Sequence, residues 1–438
     1  MLGVILSMIS LMMVSSVWGE MVLWSMIISG LMVMSSSDSL NWKSGLSGEL
    51  DYVGWGLNLL SVWIVLLAML GSKNVKKLSQ SWGVYIMVMV SLVSMLMVSF
   101  YVSEFIFFFI SYESCLIPIF FLILGWGYQP ERALAGVYML FYMLLGSLPL
   151  FFFVLKMESL GSSYMHNVWS APFVNFFFYL FMVSSFLVKF PMFSVHLWLL
   201  KAHVEAPVAG SMILAGILLK LGGYGLIRFL VFWANSPILM SELFVCVSLW
   251  GGVVVSLSCL RQSDMKLLIA SSSVVHMSMC LSGLFILSEL SQKGAVLVML
   301  GHGLCSSGLF YLAHMVYERT KSRSLSVSKG LLSLMPSMCM WWFMLSSSNM
   351  AAPPSLNLLG EIWLMSSLVS WSVSLSIAIG LISFFSAGYS LYLFSLSQHG
   401  VYLSSKGGFH SGSLMDYLIC SSHWLPLNIM IFFLFWLV

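Results

Sequence analysis

The sequence predicts an all-α polytopic membrane protein with about fourteen transmembrane helices, and three observations support this class. Hydrophobic residues make up 60% of the 438 residues, whereas charged residues make up only 8%. The mean hydropathy is +1.00. Apolar runs recur from the first residue to the last without a polar block between them. Because a soluble chain of this length needs far more surface charge, the composition indicates one continuous membrane domain.

The fourteen spans follow from the length that a helix needs to cross a bilayer, about 20 mostly apolar residues. Backbone polar groups in lipid must be paired within their own segment, so each apolar run is predicted to be helical. In chain order the predicted spans lie near residues 1–18, 21–35, 52–71, 82–102, 103–124, 133–155, 173–200, 206–230, 237–260, 266–288, 294–315, 335–369, 372–395 and 417–438.

Prolines predict that two of these spans are broken. The seventh contains Pro191 and is followed by Pro207, and the overlong twelfth contains Pro353 and Pro354 in "AAPPSLNLLGE". A proline removes one helical hydrogen bond and leaves carbonyls unpaired, which a membrane tolerates only where protein or water pairs with them. The breaks therefore indicate a buried, hydrated place.

The two broken spans lie five spans apart, in corresponding positions of two five-helix units. Inverted repeats of transporters have this arrangement. The prediction divides the chain into helices 1 to 3 (residues 1–81), a first repeat of helices 4 to 8 (82–236), a second repeat of helices 9 to 13 (237–396), and a loop with helix 14 (397–438).

Basic residues in the short loops predict the orientation. Eleven lysines and arginines follow odd-numbered spans and four follow even-numbered spans. The positive-inside rule then places the odd loops on the cytoplasmic or matrix side and both termini on the opposite side.

Three lysines remain inside "FLVKFPMFSVHLWLLKAHVEAPVAGSMILAGILLKLGGYGLIR", namely Lys189, Lys201 and Lys220. An ionised group in mid-membrane costs about 2.5 to 3.5 kcal/mol, so such groups face the bundle interior and commonly serve ion or proton movement. Snorkelling explains a lysine near a helix end, but Lys189 and Lys220 lie further in. Lys201 is open to either interpretation.

Histidines extend this polar stretch. Lys189, His196 and His203 are each seven residues apart, so they would share one face of a continuous helix unless Pro191 interrupts it. A lone histidine in an apolar helix is usually a satisfied core residue, whereas three titratable groups on one stripe favour a relay.

Carboxylates and two more histidines lie in other apolar spans. Glu104 precedes Glu113 in "FFFISYESCLIPIFF", Glu361 follows the proline break of the twelfth span, and His276 and His302 lie within the tenth and eleventh spans. A buried Glu–Lys pair can be switched between charged and neutral forms by a neighbouring group, as a proton relay requires. The alternative is a static pair that fixes helix packing.

The sequence contains no motif that predicts nucleic-acid binding or a bound cofactor or metal. A net charge of +3 and dispersed basic residues do not predict nucleic-acid binding. No G-x-G-x-x-G unit or cysteine cluster predicts a dinucleotide, metal or iron–sulfur site in this chain. The seven cysteines stand singly, at Cys115, Cys246, Cys259, Cys280, Cys305, Cys339 and Cys420.

Several motifs together resemble a known family. "HLWLLKAHVEAPVAGSMILAGILLKLGGYGLIR", "FYMLLGSLPL", "LRQSDMKLLIASSSVVHM", "YERTKSR" and "PPSLNLLGEIW" are similar to the chain 4 family of NADH:ubiquinone oxidoreductase, the antiporter-like subunits of respiratory complex I. The similarity covers roughly residues 50–395. It implies the antiporter-like fold, a central polar axis and a place in the proton-pumping arm of the mitochondrial inner membrane. In that membrane, the orientation predicted from the loop charges puts both termini on the intermembrane-space side.

The resemblance also implies site residues. The family's proton-translocating residues match Glu113 and its partner Lys189, Lys220 in the eighth helix and Glu361 in the twelfth helix. Sister subunits often carry a lysine where this chain has Glu361, so Glu361 favours chain 4 over chains 2 and 5. The matching histidines are His196, His203, His276 and His302. Family members typically have proline where this chain has Leu200, so the break here would depend on Pro191 and Pro207.

The function implied is proton translocation by a subunit without a redox centre of its own. NAD, FMN, iron–sulfur clusters and ubiquinone would be bound elsewhere in the complex, and the partners would be other membrane-arm subunits, including chains 2 and 5, and lipids. The main alternative is a stand-alone cation/proton antiporter subunit. A structural scaffold and a solute carrier are further alternatives.

Overall fold

A computed structural model describes residues 2–11, 18–34, 43–44, 48–49, 51–78, 81–159, 165, 176–233, 238–401 and 411–433 of the chain. Nearly all regular structure in these residues is helical, which confirms the predicted class. The exception is one antiparallel pair of two-residue strands, β1 Lys43–Ser44 and β2 Gly48–Glu49.

Twelve helices precede residue 231. They are α1 Leu2–Leu11, α2 Trp18–Met34, α3 Tyr52–Gly71, α4 Lys73–Leu78, α5 Trp82–Ser99, α6 Phe105–Ser114, α7 Leu116–Trp126, α8 Arg132–Ser159, α9 Phe176–Lys189, α10 Leu197–Glu205, α11 Val208–Ile213 and α12 Leu219–Leu230, with a π-helical segment Leu214–Leu218 between the last two and a 3-10 turn Val231–Trp233 after them.

Eight helices follow. They are α13 Ile238–Cys259, α14 Met265–Ile286, α15 Glu289–Thr320, α16 Leu331–Leu334, α17 Pro336–Asn349, α18 Leu356–Trp371, α19 Ser376–Gln398 and α20 Leu414–Ile429, with 3-10 turns Val373–Leu375 and Met430–Phe433.

Nine helical segments of the described residues are long and apolar enough to cross a membrane. They coincide with nine of the fourteen predicted spans, and the total of fourteen stays a prediction. Some observed boundaries differ from the predicted ones by several residues: α2 begins at Trp18, within the first predicted span, and α15 runs over Glu289–Thr320 rather than 294–315. Residues 12–17 and 434–438 of the first and last predicted spans lie outside the described part of the chain.

Serines are accommodated in these apolar helices through bonds to their own backbone. The hydroxyls of Ser61, Ser256 and Ser273 each donate to the carbonyl three residues earlier, at 2.7 Å. A hydroxyl paired in this way presents little unsatisfied polarity to lipid or to a neighbouring helix. The many serines are therefore compatible with a membrane bundle.

The proline-containing spans are interrupted as predicted, and the first break lies earlier than Leu200. Helix α9 ends at Lys189 and α10 begins at Leu197, so Leu200 is already helical. Ser194, in the intervening turn, has a φ of 87°. In the second break, α17 ends at Asn349 and α18 begins at Leu356.

Contacts divide the chain into two compact units. The first comprises Met1–Phe190, Glu205–Ile238 and Phe435–Val438, and the second comprises Pro191–Val204 and Leu239–Leu434. The predicted division into helices 1 to 3, two repeats and a C-terminal segment stays a prediction.

Within the first unit, α12 packs closely on α9 through Gly222. A Cβ at Gly222 would lie 2.7 Å from the Phe190 amide nitrogen and 3.2 Å from the Phe186 carbonyl oxygen. Only glycine fits there, because backbone atoms cannot yield as a flexible side chain can. The contact fixes the end of α9, and therefore Lys189, against α12.

Within the second unit, α14 and α15 form the buried centre, and α18 packs on α15 in the same close manner. A Cβ at Gly360 of α18 would lie 2.9 Å from the Val298 amide nitrogen of α15. Glu361 is the next residue along α18, so this backbone approach holds the carboxylate against the centre of the unit.

Candidate functional site

In the first unit the structure brings Lys189 and Glu113 together. The Lys189 Nζ lies 3.6 Å from the Glu113 Oε1, and the two side chains are 2% and 19% exposed. The ammonium also donates a 2.7 Å hydrogen bond to the Tyr112 carbonyl and lies 3.0 Å from the centre of the Tyr112 ring. A carboxylate, a carbonyl and an aromatic face thus replace the water that a lysine needs.

Local sequence explains how both groups are presented inside the bundle. Lys189 is the last residue of α9, immediately before the Pro191 break. Glu113 lies at the junction of α6 and α7, where Pro118 cannot donate a hydrogen bond to the Ser114 carbonyl. Both ionisable groups therefore stand where the helical hydrogen bonding is interrupted.

Lys220 lies near the middle of the membrane-spanning segment Val208–Leu230 and is fully buried. Its ammonium donates a 2.5 Å hydrogen bond to the carbonyl of Ala215, which belongs to the π-helical segment. The wider turn of a π-helix displaces carbonyls from the regular i to i+4 pattern, and such segments often occur at functional sites.

In the second unit Glu361 contacts His276. The Glu361 Oε1 lies 3.1 Å from His276 Nδ1, and the side chains are 12% and 5% exposed. On the other ring nitrogen, His276 Nε2 lies 3.1 Å from the Tyr389 hydroxyl. The His302 ring lies 5.4 Å from the His276 ring, centre to centre. One imidazole therefore links a carboxylate and a phenol, which is a geometry for passing a proton through the ring.

His196 and His203 lie in the segment Pro191–Val204 and are also buried. His196 directly precedes α10 and stacks on Phe193, with ring centres 5.6 Å apart. His203 stacks on Phe310 of α15 at 4.7 Å and an interplanar angle of 6°.

The continuous stripe Lys189–His196–His203 is therefore wrong as a single helix face. Residues 190–196 are not helical, so Lys189 ends one helix, His196 lies in the turn and His203 belongs to the next helix. Pro191 prevents the continuous helix that the seven-residue spacing would need.

Burial separates the three lysines of this stretch. Lys189 and Lys220 are buried, whereas Lys201 is exposed on α10. Exposure therefore sets Lys201 apart from the two buried lysines. Glu104 is half-buried at the N-terminus of α6, nine residues before Glu113.

Sequence reasoning missed the tyrosines. Tyr112 supplies a carbonyl and a ring to Lys189, and Tyr389 supplies a hydroxyl to His276. Tyr112 could have been found from its position next to Glu113. Tyr389 carries no such signal, because it reaches His276 across 113 residues of sequence.

Metal-ligating residues do not cluster in the part of the chain that the structure describes. No group of three or more histidines, cysteines, aspartates or glutamates there could hold a metal ion. What the described site can do with its own residues is accept, hold and release protons.

Comparisons with known proteins agree with the motifs. The chain matches the family model described as NADH:quinone oxidoreductase/Mrp antiporter, TM, over residues 102–386, and the model described as NADH-ubiquinone oxidoreductase chain 4, amino terminus, over residues 1–99. It is 51% identical over 389 residues to NADH-ubiquinone oxidoreductase chain 4 of Ceratitis capitata, a match covering 87% of this chain and 86% of that relative. These matches confirm the family resemblance.

Solved structures share the fold. A chain of respiratory complex I from Thermus thermophilus with bound NADH is similar with a TM-score of 0.87 at 19% identity, over 98% of this chain and 96% of that chain. A chain of the Mrp complex from Dietzia sp. DQ12-45-1b is similar with a TM-score of 0.82 at 17% identity, over 98% of this chain and 49% of that chain.

Proposed function

The chain belongs to the NADH-ubiquinone oxidoreductase chain 4 family, and on that premise we propose that it translocates protons across the mitochondrial inner membrane as a membrane-arm subunit of that enzyme. Moving one proton against the membrane potential costs about 2.3 kcal/mol per 100 mV. The energy would come from redox chemistry in other subunits, which would hold NAD, FMN, iron–sulfur clusters and ubiquinone. Chains 2 and 5 are the proposed neighbours in the membrane.

One observation carries this proposal: largely buried ionisable side chains contact one another in pairs, and one member of each pair, Glu113 or His276, lies in a segment long and apolar enough to span a membrane. The Lys189–Glu113 pair and the Glu361–His276 pair have separations of 3.6 and 3.1 Å. Burying such groups is costly, and replacing a buried ion pair by apolar residues is often neutral or stabilising. Packing alone is therefore a weak reason for two such pairs in one chain.

The groups have distinct proposed roles. Glu113 and Lys189 form the modulating pair, whose charge state depends on the neighbours of the carboxylate. Glu361 links the axis to the outer exit. The residues proposed to conduct along the axis are Lys220, His196, His203, His276 and His302.

We extend the proposal to architecture and orientation. The two inverted repeats would be residues 82–236 and 237–396, each containing one broken helix. Basic residues are in excess in the loops that follow odd-numbered spans, which supports a matrix location for those loops. Both termini would then face the intermembrane space.

A stand-alone cation/proton antiporter subunit is the second candidate, because the chain shares its fold with a chain of the Mrp complex. Purification in mild detergent separates the two functions. We expect hydrophilic redox subunits to co-purify in stoichiometric amount, whereas an antiporter subunit would be isolated without them.

Lys220→Ala tests proton translocation, with Lys201→Ala as the matched control. The first removes a fully buried ammonium and the second an exposed one. We expect the Lys220→Ala complex to assemble, and its proton uptake into liposomes to fall at least tenfold while Lys201→Ala leaves uptake unchanged. Normal uptake by an assembled Lys220→Ala complex would leave a structural scaffold as the better interpretation.

A further inference from the structure

A polar stripe continues from Lys220 to the end of α12. Lys220, Tyr224 and Arg228 are four residues apart and so lie on one face of the helix. Their exposure rises along this face, because Lys220 and Tyr224 are fully buried and the Arg228 side chain is 12% exposed. The stripe therefore leads from the middle of the membrane-spanning segment toward the surface.

Specific contacts hold the outer part of this stripe. The Tyr224 hydroxyl donates a 3.2 Å hydrogen bond to the Phe100 carbonyl, and the Arg228 guanidinium lies 5.0 Å from the centre of the Tyr224 ring. Arg228 also forms an ion pair with Asp51, whose side chain is 39% exposed. Asp51 is thus the solvent-facing end of the stripe.

Helix α3 presents a matching stripe from the opposite direction. Asp51 precedes the first residue of α3 and contacts Arg228. Gly54 faces Tyr224, since a Cβ at Gly54 would lie 3.9 Å from the Tyr224 ring. The two helices therefore run antiparallel, and one further turn along α3 brings Asn58 to the depth of Lys220.

Asn58 is the independent observation that points to water. It is fully buried, and among the described residues neither its Nδ2 nor its Oδ1 has a hydrogen-bond partner. The neighbouring Ser61 hydroxyl bonds to the Asn58 backbone carbonyl and leaves the amide side chain unused. Native proteins rarely leave a buried amide unpaired, and ordered water is the usual partner of such a group.

We propose that Asn58 and Tyr224 line a water-filled branch that connects Lys220 to the membrane surface at Asp51. This inference rests on the proposed function and adds a route for its proton. A Lys220 N–H bond breaks as an O–H bond forms on the first water, the proton passes along the waters beside Asn58 and Tyr224, and the Asp51 carboxylate accepts it and releases it to solvent. Lys220, now a neutral amine, is reprotonated from the axis.

Arg228 is a positioning residue in this branch. Its guanidinium does not lose a proton in proteins, so it cannot relay one. It holds the Asp51 carboxylate at the mouth of the branch. The charge distribution of the loops predicts that this mouth opens to the intermembrane space.

Asn58→Leu tests the branch, because leucine has a similar volume and no polar atoms. In the assembled complex reconstituted into liposomes, we expect at least a tenfold loss of proton uptake per NADH oxidised. Ser61→Ala, one turn away on the same buried helix, is the matched control and should leave uptake unchanged. A dry site predicts the opposite, namely that Asn58→Leu pumps normally and is at least as stable as the unsubstituted complex.

Lys220→Gln, measured in parallel, separates failure of the branch from failure of the proposed function. Loss of uptake with Lys220→Gln but normal uptake with Asn58→Leu overturns the branch alone. Normal uptake with Lys220→Gln overturns the proposed function itself.

A density map of the unsubstituted complex that resolves ordered water gives a readout independent of assembly of the variants. We expect water within hydrogen-bond distance of both Asn58 Nδ2 and Oδ1, continuing toward Asp51. A side chain of Asn58 without adjacent water in such a map would overturn the branch.

Discussion

Replacing Glu113 by glutamine removes the carboxylate that lies 3.6 Å from the Lys189 ammonium. At an effective dielectric constant of about 20, two unit charges at that separation attract by about 4.6 kcal/mol. This agrees with the cost of about 3 to 5 kcal/mol that is typical when one partner of a buried ion pair is removed. Lys189 is only 2% exposed, so solvent cannot replace the lost partner.

A perturbation of this size should stop the pump, because translocation requires both charge states of Lys189 to be reachable at similar free energies. Each 1.36 kcal/mol in a barrier is a factor of ten, so about 3 kcal/mol lowers proton uptake by more than about a hundredfold. Glu113→Asp is the graded test. Shortening the side chain by about 1.5 Å reduces the attraction to about 3.3 kcal/mol, so we expect roughly a tenfold loss.

The assay is NADH-driven proton uptake by liposomes containing the assembled complex, with the rate of NADH oxidation measured on the same sample. Glu104→Gln is the matched control, since it makes the same chemical change at a half-buried position at the start of α6. Equal uptake by the Glu113→Gln and Glu104→Gln complexes would refute the reasoning.

Two further predictions concern the second unit and the packing of α12. Glu361→Gln should abolish proton uptake in an assembled complex, because it removes the carboxylate that contacts His276. Tyr389→Phe removes one neutral hydrogen bond to His276, worth about 1 kcal/mol, and should reduce proton uptake only about fivefold. If Tyr389→Phe is the more severe change, the role of the carboxylate is wrong. Gly222→Ala should lower the thermal stability of the complex and its proton uptake, because the new Cβ would lie 2.7 Å from the Phe190 amide nitrogen. Gly125→Ala, with nothing within 4 Å of its Cβ, should change neither quantity, and equal melting temperatures for the two variants would contradict the packing argument.

The polarity pattern of the sequence predicts which residues are unusual. Few charged residues occur in this chain, so each one inside an apolar run is conspicuous, and Glu113, Lys189, Lys220 and Glu361 are identifiable without coordinates. The prolines likewise predict the breaks at residues 190–196 and 350–355, because their effect on helical hydrogen bonding is local.

Which residues meet depended on the tertiary structure. His276 is 85 residues from Glu361 and 113 from Tyr389, and no local rule relates those positions. Asn58 is a further example. In the sequence it is one polar residue in an apolar helix, and its place beside the polar face of α12 follows only from the packing of α3 against Tyr224. Even the seven-residue spacing of Lys189 and His196 was misleading, since a helical period has meaning only where the helix is continuous.

The sequence by itself determined that this protein lies in a membrane, that it is helical and which of its charged residues are buried. Hydrophobicity and proline chemistry act on each segment separately, so these properties need no tertiary contacts. Only the tertiary structure decided that Lys189 faces Glu113 and that Glu361 faces His276. Those contacts depend on close approaches between helices that are distant in sequence, such as the approaches at Gly222 and Gly360. A close approach requires two helices to fit each other, so it cannot be predicted from the sequence of either helix alone.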